Sequence, residues 1–240
     1  MPSFDGEDLR CMREEMNRRR GVIFAISAMA LVATTIPHAE PADETRALQE
    51  KLTSASTDEE KFQALWDLAQ QAPYHRTAET RRHARRAAEL AEHMGDKRKQ
   101  SDALRLVGGT WLLDGEIERA MSSFRSAAKL CLEEDLPCRA AAHTNIGLTF
   151  FRQNNYPRSL HYYYEARDLC RKAMSDRKEP SICRSVMSLT KANLASTLTS
   201  LGQFEEALRF VDDELDGGND RITGATLVNK ASILETFGAL

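Results

Sequence analysis

The feature that most constrains this chain is a spacing that repeats. Counting from Gly108, Trp111 lies 3 residues on, Ala120 12, Phe124 16 and Ala127 19. The same offsets from Gly147 reach Phe150, Ser159, Tyr163 and Ala166, and from Ala195 they reach Leu198, Ala207, Val211 and Glu214. From Ala231 the first offset gives Leu234. A small–large–small–large pattern held in register through successive units marks stacked repeats, none of which can bury its apolar face alone.

The spacing has a physical reading. Gly108, Gly147 and Ala195 fall inside predicted helices, where glycine costs up to about 1 kcal/mol against alanine. A small residue there lets a facing helix approach closely, with Ala120, Ser159 and Ala207 as complementary small contacts. Trp111 with Phe124, Phe150 with Tyr163, and Leu198 with Val211 are then expected to fill the space on either side. Asp114-Gly115, Asn154-Asn155 and Gly202 stand where the chain must reverse. Pro157 falls in the first turn of a second helix, where its missing N–H costs little. Alanine, leucine, arginine and glutamate dominate, with few β-branched residues, so the rest of the chain also favours helix.

Leu104, Val107-Gly108 and Trp111, with Ala120, Phe124 and Ala127, resemble the tetratricopeptide repeat. Asn145-Ile146-Gly147, Asn193-Leu194-Ala195 and Asn229-Lys230-Ala231 match its asparagine–aliphatic–small step. The resemblance runs from about residue 57 to the end and implies an all-α, right-handed superhelix of antiparallel helix pairs. The anchors lie 39, 48 and 36 residues apart, against a family period of about 34, so helices or loops are lengthened. The expected organisation is a leading helix or linker over 43–60 and a degenerate first repeat over 61–100. Repeats over 101–139, 140–187 and 188–223 follow, then an incomplete one over 224–240. The open last helix is expected either to pair with another chain or to continue into a longer protein.

The N-terminus differs from the rest. Arg18, Arg19 and Arg20 precede an apolar run from Gly21 to Ile36, followed by Pro37 to Pro41. A basic block, a short apolar core and then polar residues form the layout of an export signal. Residues 1–42 are therefore expected to be a hydrophobic targeting helix, either a cleaved signal peptide or an uncleaved anchor. Met16 reads as the start, because the preceding stretch carries Asp5, Glu7, Asp8, Glu14 and Glu15. This places the chain in the periplasm or on the periplasmic side of an inner membrane, touching the membrane only through that segment.

No motif for catalysis or a cofactor is present: no phosphate-cradling loop, nucleophile elbow or HExxH. His75, His83, His93, His143 and His161 lack ligand spacing, so no metal is expected. A net charge of −3 supplies no field for nucleic acid. Arg81, Arg82, Arg85 and Arg86 fall on a predicted solvated face, opposite Ala84, Ala87 and Ala88. The resemblance instead implies a protein or peptide partner in the concave face. Asn145, Asn193 and Asn229 there either form a ladder bonding the backbone of an extended peptide or bond within the stack. The family's carboxylate clamp is not expected, because the groove residues Thr144, Leu148, Ala192, Ser196, Val228 and Ser232 carry no positive charge. The resemblance extends to sensor regions of longer bacterial signalling proteins, such as diguanylate cyclases and histidine kinases, and to envelope assembly factors.

Excluding Cys11, four cysteines remain, an even number in a chain read as exported. Cys131 and Cys170 each lie 23 residues after an anchor, and Cys138 and Cys183 lie just beyond the following turn. The repeated placement favours local staples, Cys131–Cys138 and Cys170–Cys183. The two other pairings would bridge successive repeats.

Overall fold

The computed structural model describes residues 41–71, 77–176, 180–215, 230 and 232–235. The proposed targeting segment from Gly21 to Ile36, and Asn229, lie outside the described residues. The named helices are α1 (Pro41–Ser54), α2 (Asp58–Gln71), α3 (Thr77–His93), α4 (Lys97–Leu113), α5 (Ile117–Leu130), α6 (Leu136–Arg152), α7 (Tyr156–Ser175), α8 (Pro180–Ser200) and α9 (Phe204–Leu215). No strand occurs among the described residues.

Local chemistry sets the helix ends. Before α2, the Thr57 hydroxyl accepts from the Glu60 N–H at 3.2 Å while the Glu60 carboxylate accepts from the Thr57 N–H at 3.1 Å, a reciprocal capping box. Asp96, Asp135 and Asn155 cap α4, α6 and α7 through side-chain oxygens. At the reversals, Gly115, Asn154 and Gly202 adopt φ of 80°, 58° and 77°. The amides of Glu116, Asn155 and Gln203 then reach back 2.9 Å to the carbonyls of Trp111, Phe150 and Leu198. That is the left-handed helix stop with its six-to-one bond. The accepting carbonyl belongs each time to the residue three past the anchor.

The anchors work by contact. A Cβ on Gly108 would stand 2.5 Å from Cε1 of Phe124, and one on Gly147 would stand 2.7 Å from Cε1 of Tyr163. Phe124 and Tyr163 are fully buried, so each ring lies directly on the backbone of the facing helix. Where the ring is replaced by Val211, the anchor is Ala195, and both are buried. The small and large positions therefore trade volume within each pair, as close packing requires.

One expected wedge differs. Trp111 is half-buried. It touches two core clusters, but guanidinium groups cover its ring: Arg81 at 3.7 Å, Arg119 at 4.7 Å and Arg85 at 5.4 Å from the centroid. Arg81 is held there by Asp114 at 2.7 Å. Two of the clustered arginines thus close the edge of the core with an aromatic contact.

Consecutive helices pack throughout, and the first helices of successive pairs also touch: α4 on α6 and α6 on α8. The second helices make no comparable contact with one another among the described residues. A stack whose first helices approach while its second helices splay must curve with the first helices inside. Helices α4, α6 and α8 thus line the inner face of a superhelix.

Candidate binding groove

The inner face can be read by register. Three residues before the anchors stand Arg105, Thr144 and Ala192, and one residue after them stand Gly109, Leu148 and Ser196. Thr144 is buried because its hydroxyl meets that of Thr190 at 2.8 Å, joining α6 to α8. Leu148, Ala192 and Ser196 are half-buried. Among these six positions the uncharged character expected of the groove holds except in α4, where register places Arg105. Extending the offset by one repeat would have found it.

Arg105 meets Asp102 at 2.5 Å, and its side chain is 26% exposed. Its Nε is shielded from solvent and has no hydrogen-bond partner. Burial pushes the guanidinium below its ordinary value, against the attraction of Asp102. Burial likewise raises the Asp102 carboxyl, against the pull of Arg105 and Arg98. Arg98 lies 3.9 Å from Asp102 but holds Asp135, the cap of α6, at 2.6 Å. The α4 end of the groove therefore carries a half-buried ionic floor that Arg98 ties to the cap of α6.

Asn145 and Asn193 occupy equivalent half-buried positions two residues before their anchors. Their backbone carbonyls accept from the hydroxyls of Thr149 at 3.0 Å and Thr197 at 2.7 Å. The Asn193 amide nitrogen is shielded from solvent with no acceptor among the described residues, a buried donor left unsatisfied within α8.

The cysteines sit at the joints between pairs. Cys131 and Cys138 form a disulfide with Cα atoms 5.6 Å apart, across the turn from α5 to α6. Cys170 of α7 and Cys183 of α8 are both buried, and the staple expected between them is not formed. Burial, and then the neighbouring Cys183, raise the Cys170 thiol well above its ordinary range. Among the described residues, no group of histidine, cysteine and acidic side chains is arranged to hold a metal ion. None of their helices is long and apolar enough to cross a membrane.

The sequence profile of the tetratricopeptide repeat matches residues 139–177 and 189–213, which cover most of α6 and α7 and the centre of the α8–α9 pair. Those two segments carry tetratricopeptide repeats. Solved structures agree on the fold. A Rap protein complexed with competence and sporulation factor is similar over 82% of this chain and 58% of its own, with a TM-score of 0.66 at 16% identity. BtubC from P. vanneervenii is similar over 83% of each chain, with a TM-score of 0.62 at 15% identity. A STAND protein with a tetratricopeptide repeat sensor, from Pyrococcus horikoshii, is similar over 80% of this chain and 30% of its own, with a TM-score of 0.56 at 14% identity. The chain thus spans less than two thirds of the Rap and STAND structures. No curated protein sequence matches it.

Proposed function

We propose that the chain is a binding scaffold rather than an enzyme, and that α4, α6 and α8 hold a peptide or an extended segment of a partner protein. The observation that carries this reading is the inner face itself. Three first helices in contact present half-buried, largely uncharged positions and a poorly solvated ion pair. The bound factor in the Rap structure lends support by likeness of fold. Asn145, Asn193 and Asn229 are the proposed polar contacts.

The test is selection of random ten-residue peptides displayed on phage against the purified chain. Gly109→Trp and Ser196→Trp place bulk at the inner face, and nothing lies within 4 Å of a Cβ at Gly109. Both should abolish binding of the selected peptides, whereas Arg125→Ala on the exposed side of α5 should not. Failure to select any peptide, or binding indifferent to both tryptophans, would overturn the reading.

Export is part of the same proposal, supported by Arg18–Arg20 and the run from Gly21 to Ile36. The scaffold would then act in the periplasm or beside the inner membrane, and a role in envelope assembly fits that place. A second reading, the sensor region of a longer signalling protein, is favoured by the STAND structure with its repeat sensor. A fusion of residues 16–45 to a reporter active only outside the cytoplasm tests export, and an inactive reporter would refute it.

A further inference from the structure

We infer that the groove is chemically graded and selects a segment with an acidic side chain over α4 and an apolar one over α8; this rests on the groove reading above. The gradient appears six residues before each anchor, where Asp102, Ala141 and Leu189 follow one another along the stack. Leu189 leaves 50% of its surface in solvent, a large apolar side chain uncovered beside the contact between Thr144 and Thr190. At the same register α4 presents Asp102 with its partner Arg105, and α6 between them presents only a buried alanine.

The sign of the charge recognised at α4 follows from which partner can be spared. Asp102 has a second cation within reach, since Arg98 stands 3.9 Å away. Among the described residues Arg105 pairs with no second acid. A ligand cation taking Asp102 would strand a half-buried guanidinium without a counter-charge, which is costly. A ligand carboxylate taking Arg105 leaves Asp102 to Arg98 and forms a strong charge-assisted contact in a poorly solvated place. The ionic floor therefore favours an acid.

Spacing follows from the stack. Neighbouring packed helices lie roughly 8–10 Å apart, so α4 and α8 are separated by about 16–20 Å. An extended chain advances about 3.3 Å per residue, so the acidic and apolar side chains of the ligand stand about five or six residues apart.

The experiment uses the peptides selected above on the wild-type chain. They should be enriched in Asp or Glu with Leu, Ile, Val, Met or Phe five or six residues away. By fluorescence anisotropy, Arg105→Gln should weaken binding about tenfold and Leu189→Asp by a similar factor. Asp102→Asn should tighten binding several-fold, because it removes the internal competitor for Arg105; a purely structural role would weaken it instead. Circular dichroism melts check that each variant folds, and if Arg105→Gln does not, the Asp102→Asn result decides. Peptides that are lost with Ser196→Trp yet lack acids, or are weakened by Asp102→Asn, would overturn the gradient and leave the groove standing. Failure to select any peptide would overturn both.

Discussion

Gly108 and Gly109 are adjacent in one helix, and the structure predicts opposite outcomes for the same substitution. Alanine is favoured over glycine inside a helix by about 1 kcal/mol, and both sites gain that term. The difference lies in what the new methyl meets. At Gly109 nothing stands within 4 Å, so Gly109→Ala should stabilise the chain by roughly 0.5–1 kcal/mol. At Gly108 the methyl would lie 2.5–2.9 Å from three carbons of the Phe124 ring, against an ordinary contact of 3.4–4 Å. The ring must move by about 1 Å within a buried site, and overpacking of this kind costs about 1–3 kcal/mol. Because the helix term is common, the two variants should differ by about 1–3 kcal/mol in urea denaturation followed by circular dichroism, with Gly108→Ala the less stable. Equal stabilisation by both substitutions would show that Phe124 does not lie on the backbone of α4 and that the repeat register is wrong.

Other predictions follow from the same packing. Phe124→Ala should cost about 3–5 kcal/mol, and Trp111→Ala distinctly less, because Trp111 is half-buried beneath arginines; equal losses in thermal melts would contradict this. His83 is buried with neither ring nitrogen hydrogen-bonded, and burial with nearby Arg82 lowers its pKa. The folded form binds its proton less readily, so this contribution is complete above the unfolded pKa of about 6.5 and is lost as pH falls below it. Urea midpoints should fall between pH 7.5 and 5.5, and His83→Leu should flatten that dependence. The Cys131–Cys138 bridge closes a short loop, worth about 2–3 kcal/mol by chain entropy, so Cys138→Ser should destabilise oxidised protein by that amount. Without denaturant, iodoacetamide should leave Cys170 and Cys183 unmodified, because both are buried and the Cys170 pKa is raised; rapid modification would show that the joint between α7 and α8 is open.

The fold was legible because its determinants are local and rigid. The ring of Phe124 against Gly108 and that of Tyr163 against Gly147 need fixed spacing, and the stops at Gly115, Asn154 and Gly202 carry their own turn chemistry. The groove was less legible. Arg105 shares the register of Thr144 and Ala192, but its significance depends on burial and on Asp102 and Arg98, and no spacing rule supplies those. Trp111 misled because a large aromatic at a repeat position reads as core. Its cover comes from Arg81 and Arg85 of the preceding pair and from Arg119 of its own, whose register Arg158 repeats 5.6 Å from the Phe150 ring.

The most direct test of the central claim, that the first helices form the binding face, is hydrogen exchange with and without a saturating selected peptide. The predicted result is added protection in segments spanning 102–109, 141–148 and 189–196, with α5, α7 and α9 unchanged. Protection confined to the second helices, or none in α4, α6 and α8, would contradict it.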